Sequence, residues 1–200
     1  LRFEEDQVVR AREAYRAAAN VIRAALPTLD EDSEVFERYL GLQKHIRDVQ
    51  AQMNDLALRH LAAARRLRLE GKLKEALPFA DHAADLMGEH PRALQMQAWI
   101  LRDMSRAATD PAEKEELAVQ SRAALNTALG IGNLLMSDRF DLMLDMIEVN
   151  LLDLKSRRAG REWINRMKTA IENVDPAAVS PEAQQPYRDR LRELEALLRE

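Results

Sequence analysis

A chain of 200 residues is long enough for one domain, or for one domain with an elaborated end, and 46% hydrophobic residues supply a core. Aromatics make up only 4%, with six glycines and seven prolines, beside abundant Ala, Leu, Arg and Glu; those residues lose little side-chain entropy in a helix, whereas a sheet needs β-branched and aromatic residues on its pleats, so the composition points to an all-α fold. The 34 acids and 30 bases are well mixed and leave a net charge of −4, without the cationic surface a general nucleic-acid binder needs, and the absence of cysteine excludes a disulfide framework and thiolate chemistry.

The first helix is predicted from about Phe3 to Leu26. Val8, Ala11, Tyr15, Ala18, Ile22 and Ala25 alternate spacings of three and four and share one stripe. Pro27 ends it, because the residue before a proline is pushed out of the α region. The acidic link Asp30-Glu31-Asp32-Ser33 offers N-cap oxygens and negative charge to the next helix. That helix is long, from about Glu34 to Glu70. Its stripe is Val35, Tyr39, Leu42, Ile46, Val49, Met53, Leu56, His60, Ala63 and Leu67, and Gly41 lies off it. A seven-residue repeat sustained over this length keeps one seam facing a partner helix. Residues 1–56 are therefore expected to form an antiparallel long-helix hairpin, its second helix continuing to about 70. The rest of the seam is expected to dock on the following helices or to form a homodimer.

Gly71 breaks the long helix, and a third helix is predicted over Lys74–Met87. Ala76, Ala80 and Ala83 are small residues suited to a close helix crossing, Leu77 and Leu86 add apolar packing, and Pro91 opens the next helix. Ala64 and Ala98 stand 34 residues apart in equivalent positions. On these residues the segment 57–101 resembles a tetratricopeptide (TPR) repeat followed by the start of another, with the family's repeat length. It departs from the family in its first helix, where the Trp, Leu-Gly and Tyr of the signature are replaced by His60, Ala63-Ala64 and Leu67, and three extra residues precede Pro91. The resemblance implies stacked antiparallel hairpins in a right-handed superhelix over residues 57–178, with 179–200 as a capping helix.

Farther along, a polar interruption is expected at Ser105 to Thr109. Asp110-Pro111-Ala112-Glu113 then starts a helix with an N-cap acid, Pro in the first turn and Glu three residues after the cap. This helix carries Leu117, Ser121, Ala124, Leu125 and Ala128 and ends at Gly130. A third hairpin is predicted as Ser137–Arg158 and Gly160–Val174, turning at Ala159-Gly160, and rich in Leu142, Met143, Met146, Ile147, Leu151 and Leu154. Ser180-Pro181-Glu182 starts a last helix that covers the open end of the array.

Catalytic chemistry finds little support. The serines lack a Gly-x-Ser-x-Gly setting. Gly130-Ile131-Gly132-Asn133 begins like a phosphate loop without the third glycine or a preceding strand; helix termination is its ordinary reading. His45 with Asp48, and His82 with Asp85, sit one turn apart, as solvated or hydrogen-bonded pairs do; His60 is expected to be partly buried on the long seam. Met136, Met143, Met146 and Met167 read as core, and Arg65-Arg66-Arg68 and the cluster Lys155, Arg157, Arg158, Arg161, Arg166 as solvated faces. No cofactor or metal is expected.

In TPR domains the concave groove is lined by the first helix of each repeat. The resemblance thus places Leu61, Arg65 and Arg68 on the groove from one repeat, Gln95, Trp99 and Arg102 from the next, and Asn150 from the third hairpin. Arginines there would clamp a carboxylate or acidic peptide, and Trp99 would serve as an aromatic anchor. The asparagine-rich clamp of chaperone-binding members is not reproduced. The expectation is a non-catalytic protein–protein interaction scaffold binding a protein or peptide. The alternative is a helical dimerisation or signal-coupling module of a larger, membrane-anchored protein. The longest uncharged stretch, Ala123 to Ser137, is too short and polar to span a bilayer. The start at Leu1 leaves room for a targeting or anchoring segment before it, and cytosol, periplasm and secretion all remain compatible.

Overall fold

A computed structural model describes residues 2–30, 33–88 and 90–199, the side chains of residues 2–9 and 11 excepted. The described residues form eight α-helices: α1 (Arg2–Ala25), α2 (Glu34–Leu69), α3 (Leu73–Met87), α4 (Pro91–Ala107), α5 (Pro111–Gly130), α6 (Met136–Glu148), α7 (Arg157–Glu172) and α8 (Pro181–Ala196). Most of them pack mainly against their neighbours in the chain. Contacts between next-but-one helices join α1 to α3, α2 to α4 and α6 to α8. No described helix is long and apolar enough to cross a membrane.

The helix starts follow the local chemistry. Ser33 Oγ accepts from Phe36 N at 3.1 Å, Asp110 Oδ1 from Ala112 N at 3.1 Å, and Ser180 Oγ from Ala183 N at 3.3 Å, each satisfying an amide that lacks an intrahelical acceptor. A one-turn 3-10 helix, Leu26–Thr28, carries Pro27 at its start, so α1 stops where the proline requires. Gly71 takes φ +75 between α2 and α3, a left-handed conformation that costs a residue with a Cβ.

Three apolar clusters follow one another along the chain. Ala64 and Leu67 of α2, Ala76 and Ala80 of α3, and Met96 and Ile100 of α4 form the first. Leu94 and Ala98 of α4 join Leu125 and Ala128 of α5 and Leu142 and Met146 of α6 in the second. Phe140, Met143 and Ile147 of α6 pack with Ile164 and Met167 of α7 and Leu191 and Leu194 of α8 in the third. Thus α4 and α6 each feed two clusters from two sides, which ties the helices into a row. The small residues predicted at the α2–α3 crossing, Ala64, Ala76, Ala80 and Ala83, are all fully buried. Ala98 is buried as well, and Ser121 of α5 comes close enough to donate to its carbonyl at 2.8 Å.

Three expectations need correction. The helix of the second pair runs through Ser105 to Ala107, because Ser105 is buried and its Oγ donates to Lys114 O at 2.7 Å across the turn. The third pair turns at residues 154–156 and not at Ala159-Gly160. After α6 the backbone widens into a π-helical turn, Val149–Asp153, and Leu154 N donates to Val149 O at 2.9 Å. Lys155 then takes φ 50, Ser156 N donates to Asn150 O at 2.7 Å, and α7 begins at Arg157. Gly160 lies inside α7, buried: a Cβ built on it would stand 2.1 Å from Leu151 Cδ2. Finally, the long seam of α2 is covered on one side only. Tyr39, Ile46, Met53, His60 and Leu67 are buried or half-buried, whereas Val35, Leu42 and Leu56 are about half exposed. On α1, Tyr15, Ala18 and Ala25 are half-buried and Ile22 buried; the side chains of Val8 and Ala11, and residues Glu31 and Asp32 of the acidic link, lie outside the described residues.

Candidate interaction face

A polar ladder runs across one face of α2, α4, α6 and α8. On α4, Arg92, Gln95, Trp99, Arg102 and Arg106 recur at intervals of three and four, so they share a stripe. On α6 the same spacing aligns Asp138, Asp141, Asp145 and Glu148. The two stripes meet. Arg92 Nη2 lies 3.9 Å from Asp138 Oδ1, and Gln95 Nε2 and Trp99 Nε1 both donate to Asp145 Oδ2 at 2.8 Å. Arg102 Nη1 reaches Glu148 Oε2 at 2.9 Å and Asp145 Oδ1 at 3.6 Å. Arg106 Nε donates to Asp153 Oδ1 at 2.8 Å, in the π-helical turn.

The ladder continues at both ends. From α2, Arg68 Nε donates to Asp103 Oδ2 of α4 at 2.6 Å, and its guanidinium lies 5.1 Å from the Trp99 ring centroid. From α8, Arg190 Nη2 donates to Glu148 Oε1 at 2.6 Å, so that carboxylate is held from α4 and α8 together. Tyr187 Oη donates to Asp141 Oδ1 at 2.9 Å; burial, then that carboxylate, pushes its phenol up to about 12. Burial raises Asp145 above the ordinary carboxylate range even though Gln95, Trp99 and Arg102 all favour its charge.

The groove residues expected from the sequence are thus found in distinct settings. Arg68, Gln95, Trp99 and Arg102 come together on the ladder and engage the chain's own carboxylates. Arg102 is only 9% exposed, and its Nε is buried without a hydrogen-bond partner. Leu61 and Arg65 lie on the strip of α2 that also carries Arg68. Arg65 is exposed; Leu61 lines an open cleft of about 420 Å³ with Leu58, Met87, Pro91, Leu134 and Leu135. Asn150 is 1% exposed; its Nδ2 donates to Met146 O at 2.7 Å, and its Oδ1 is buried and unpartnered. It sits in the packing behind the face.

The sequence reading missed Asp103, Asp145, Glu148 and Arg190. The signal was present: an acidic stripe on α6 and a basic and amide stripe on α4 share the three-four spacing. What the spacing did not reveal is that the two stripes face each other.

The histidines are spread. His45 meets Tyr15, with ring centroids 6.3 Å apart. His60 packs on Phe79 at 5.6 Å and on His82 at 5.5 Å, and burial, helped by His82, lowers its pKa. His90 Nδ1 accepts from Arg92 N at 3.3 Å at the start of α4. Among the described residues no three His, Asp or Glu side chains gather as a metal ion would need. Lys155, Arg157, Arg158, Arg161 and Arg166 are exposed.

Neither the models of known protein families nor the curated proteins include a match to this sequence.

Proposed function

We propose that this chain is a non-catalytic protein–protein interaction scaffold of TPR-like hairpins, α2–α3, α4–α5 and α6–α7, closed by α8. The observation that carries the reading is the pre-ordered face on α2, α4 and α6. Its ladder holds the polar side chains in fixed rotamers, so a partner meets them without the ordering cost that long side chains normally impose. The partner-binding part is the exposed border of the ladder: Arg65 and the Arg68–Trp99 stack for a carboxylate, and the cleft beside Leu61 for an apolar anchor. Arg102 acts behind it, holding α4 to α6 through Glu148, and is a positioning residue for Trp99.

The test compares capture of partner proteins by the chain and by two face variants, Arg65→Glu and Leu61→Asp, with Arg166→Glu on α7 as control. The face variants are expected to lose the captured proteins while circular dichroism stays unchanged and the control retains them. Equal capture by all four proteins would remove the reading.

A further inference from the structure

The first half of α7 and the turn before it concentrate positive charge. Residues 155–168 carry six bases and one acid, a net +5, in a chain whose net charge is −4. Two of the six bases have carboxylate partners. Arg166 pairs with Glu162 and lies 4.7 Å from the Trp163 ring centroid, and Lys168 pairs with Glu195 of α8. Lys155, Arg157, Arg158 and Arg161 are exposed, and no ion pair among the described residues engages them. The acid nearest to them in the sequence, Asp153, is held by Arg106 and only 4% of its side chain is exposed.

These cations stand against the field of their own helix. The N-terminal end of a helix favours acids, and α2, α3, α5, α6 and α8 each carry one in the first turn. In α7 the first turn has no acid; Arg157 and Arg158 occupy it and Arg161 follows one turn on. The cluster thus works slightly against the fold, and no carboxylate of the described chain offsets it. Arg106 ties the end of α4 to Asp153 in the π-helical turn, so the acids Asp110 and Glu113 at the start of α5 bound the basic surface on that side.

Shape narrows the choice of anionic partner. Arg157 and Arg161 are one turn apart, so the helical part of the cluster spans about 6 Å of axis. A strand of duplex DNA advances about 3.4 Å per phosphate and meets such a cluster over about two phosphates, few for a chain that is otherwise acidic. An acidic peptide is held in a groove, along a sheet edge or by aromatic anchors. Here the cations stand on an exposed helix face and the turn before it. An anionic lipid surface needs no groove, and each Lys or Arg near it strengthens binding about fivefold, or roughly 600-fold for four. Leu152, 41% exposed in the π-helical turn that leads into the cluster, adds an apolar side chain suited to the boundary between headgroups and acyl chains.

We propose that Lys155, Arg157, Arg158 and Arg161, with Leu152 beside them, form a docking surface for an anionic lipid bilayer. The chain rests on the headgroups through this end of α7 and does not cross the membrane. The surface shares no residue with the interaction face on α2 and α4, so either can fail without the other.

Cosedimentation of the full chain with lipid vesicles is the test. At about 0.1 M salt the chain is expected to bind vesicles of mixed phosphatidylcholine and phosphatidylserine but not phosphatidylcholine alone, and to come off at about 1 M. No binding to the mixed vesicles overturns the proposal, as does equal binding to both kinds. Arg157→Gln/Arg161→Gln is expected to weaken vesicle binding about 25-fold. Its melting temperature should stay at or above that of the wild type, because the helix start loses two unfavourable charges. Undiminished binding overturns the assigned cluster. Lys44→Gln/Arg47→Gln removes the same charge from exposed positions on α2 and should bind as the wild type does; an equal loss there overturns the assignment to α7. Duplex RNA and a polyglutamate peptide serve as competing ligands, and firmer capture of either than of the mixed vesicles overturns the lipid surface as the partner.

Discussion

Arg102 of α4 and Glu148 of α6 meet at 2.9 Å with 11% and 16% of their side chains exposed, an ion pair between helices that share no loop. Removing Arg102 takes one of two guanidiniums from Glu148, which Arg190 of α8 still holds at 2.6 Å, so the loss is that of a charge-assisted hydrogen bond and not of a whole ion pair. Arg102→Met is therefore expected to destabilise the chain by about 1.5–3 kcal/mol in urea unfolding. The double variant Arg102→Met/Glu148→Leu should recover part of that loss, and a double-mutant cycle measures the coupling.

Asp145 tests the opposite balance. Its pKa is raised in the folded chain, chiefly by burial. Below the unfolded carboxylate value, about 3.9, both states hold the proton and this group adds no pH dependence. Between that value and the raised one the folded state keeps a proton that the unfolded state has released, so stability falls as pH rises. Asp145→Asn keeps an oxygen for Gln95 and Trp99 and removes the titration. Its melting temperature is expected to gain on the wild type as pH rises from 3 through this window; a constant difference would contradict the assignment.

His60 shifts the other way. Burial first, then His82, lowers its pKa, and Phe79 and His82 are the groups against its ring. The neutral imidazole is the form that the fold favours. Its contribution is complete above the unfolded value, about 6.5, and is lost as pH falls through the lowered folded value. Urea midpoints of the wild type should drop between pH 7.5 and pH 5, and those of His60→Phe should drop less.

Gly160 is predicted to tolerate no methyl group. The added Cβ would lie 2.1 Å from Leu151 Cδ2, so the π-helical turn after α6 and the first turn of α7 must separate or Leu151 must move. Gly160→Ala is expected to cost about 1–3 kcal/mol by overpacking, despite the better helix propensity of alanine. Adding Leu151→Ala removes the clash and should restore much of the loss; calorimetry of both variants decides.

Much of this architecture was legible before any tertiary contact was known. The helices end where Pro27 and Gly71 require and begin where Ser33, Asp110 and Ser180 supply an oxygen, because these are local events settled within one turn of backbone. The alanines at 64, 76, 80, 83 and 98 announced close crossings, since only a small side chain lets two helix axes approach. The turn before α7 was misplaced because Ala159-Gly160 has the composition of a turn; Gly160 serves instead for close packing, and the chain reverses at Lys155 after a π-helical widening.

By itself, the sequence determined an all-α chain, the helix ends at Pro27 and Gly71, the helix starts at Ser33, Asp110 and Ser180, and the three-four spacing of Gln95, Trp99 and Arg102 on α4. Only the tertiary structure decided which stripe faces which. Periodicity places side chains around one helix axis, but it carries no information on the rotation and depth at which a second helix lies against it. Packing of Ala98, Leu125 and Leu142 set the rotation of α4 against α6 and brought Arg102 onto Asp145 and Glu148. Packing of Ala64 and Leu67 against Met96 and Ile100 set that of α2 against α4, bringing Arg68 onto Asp103.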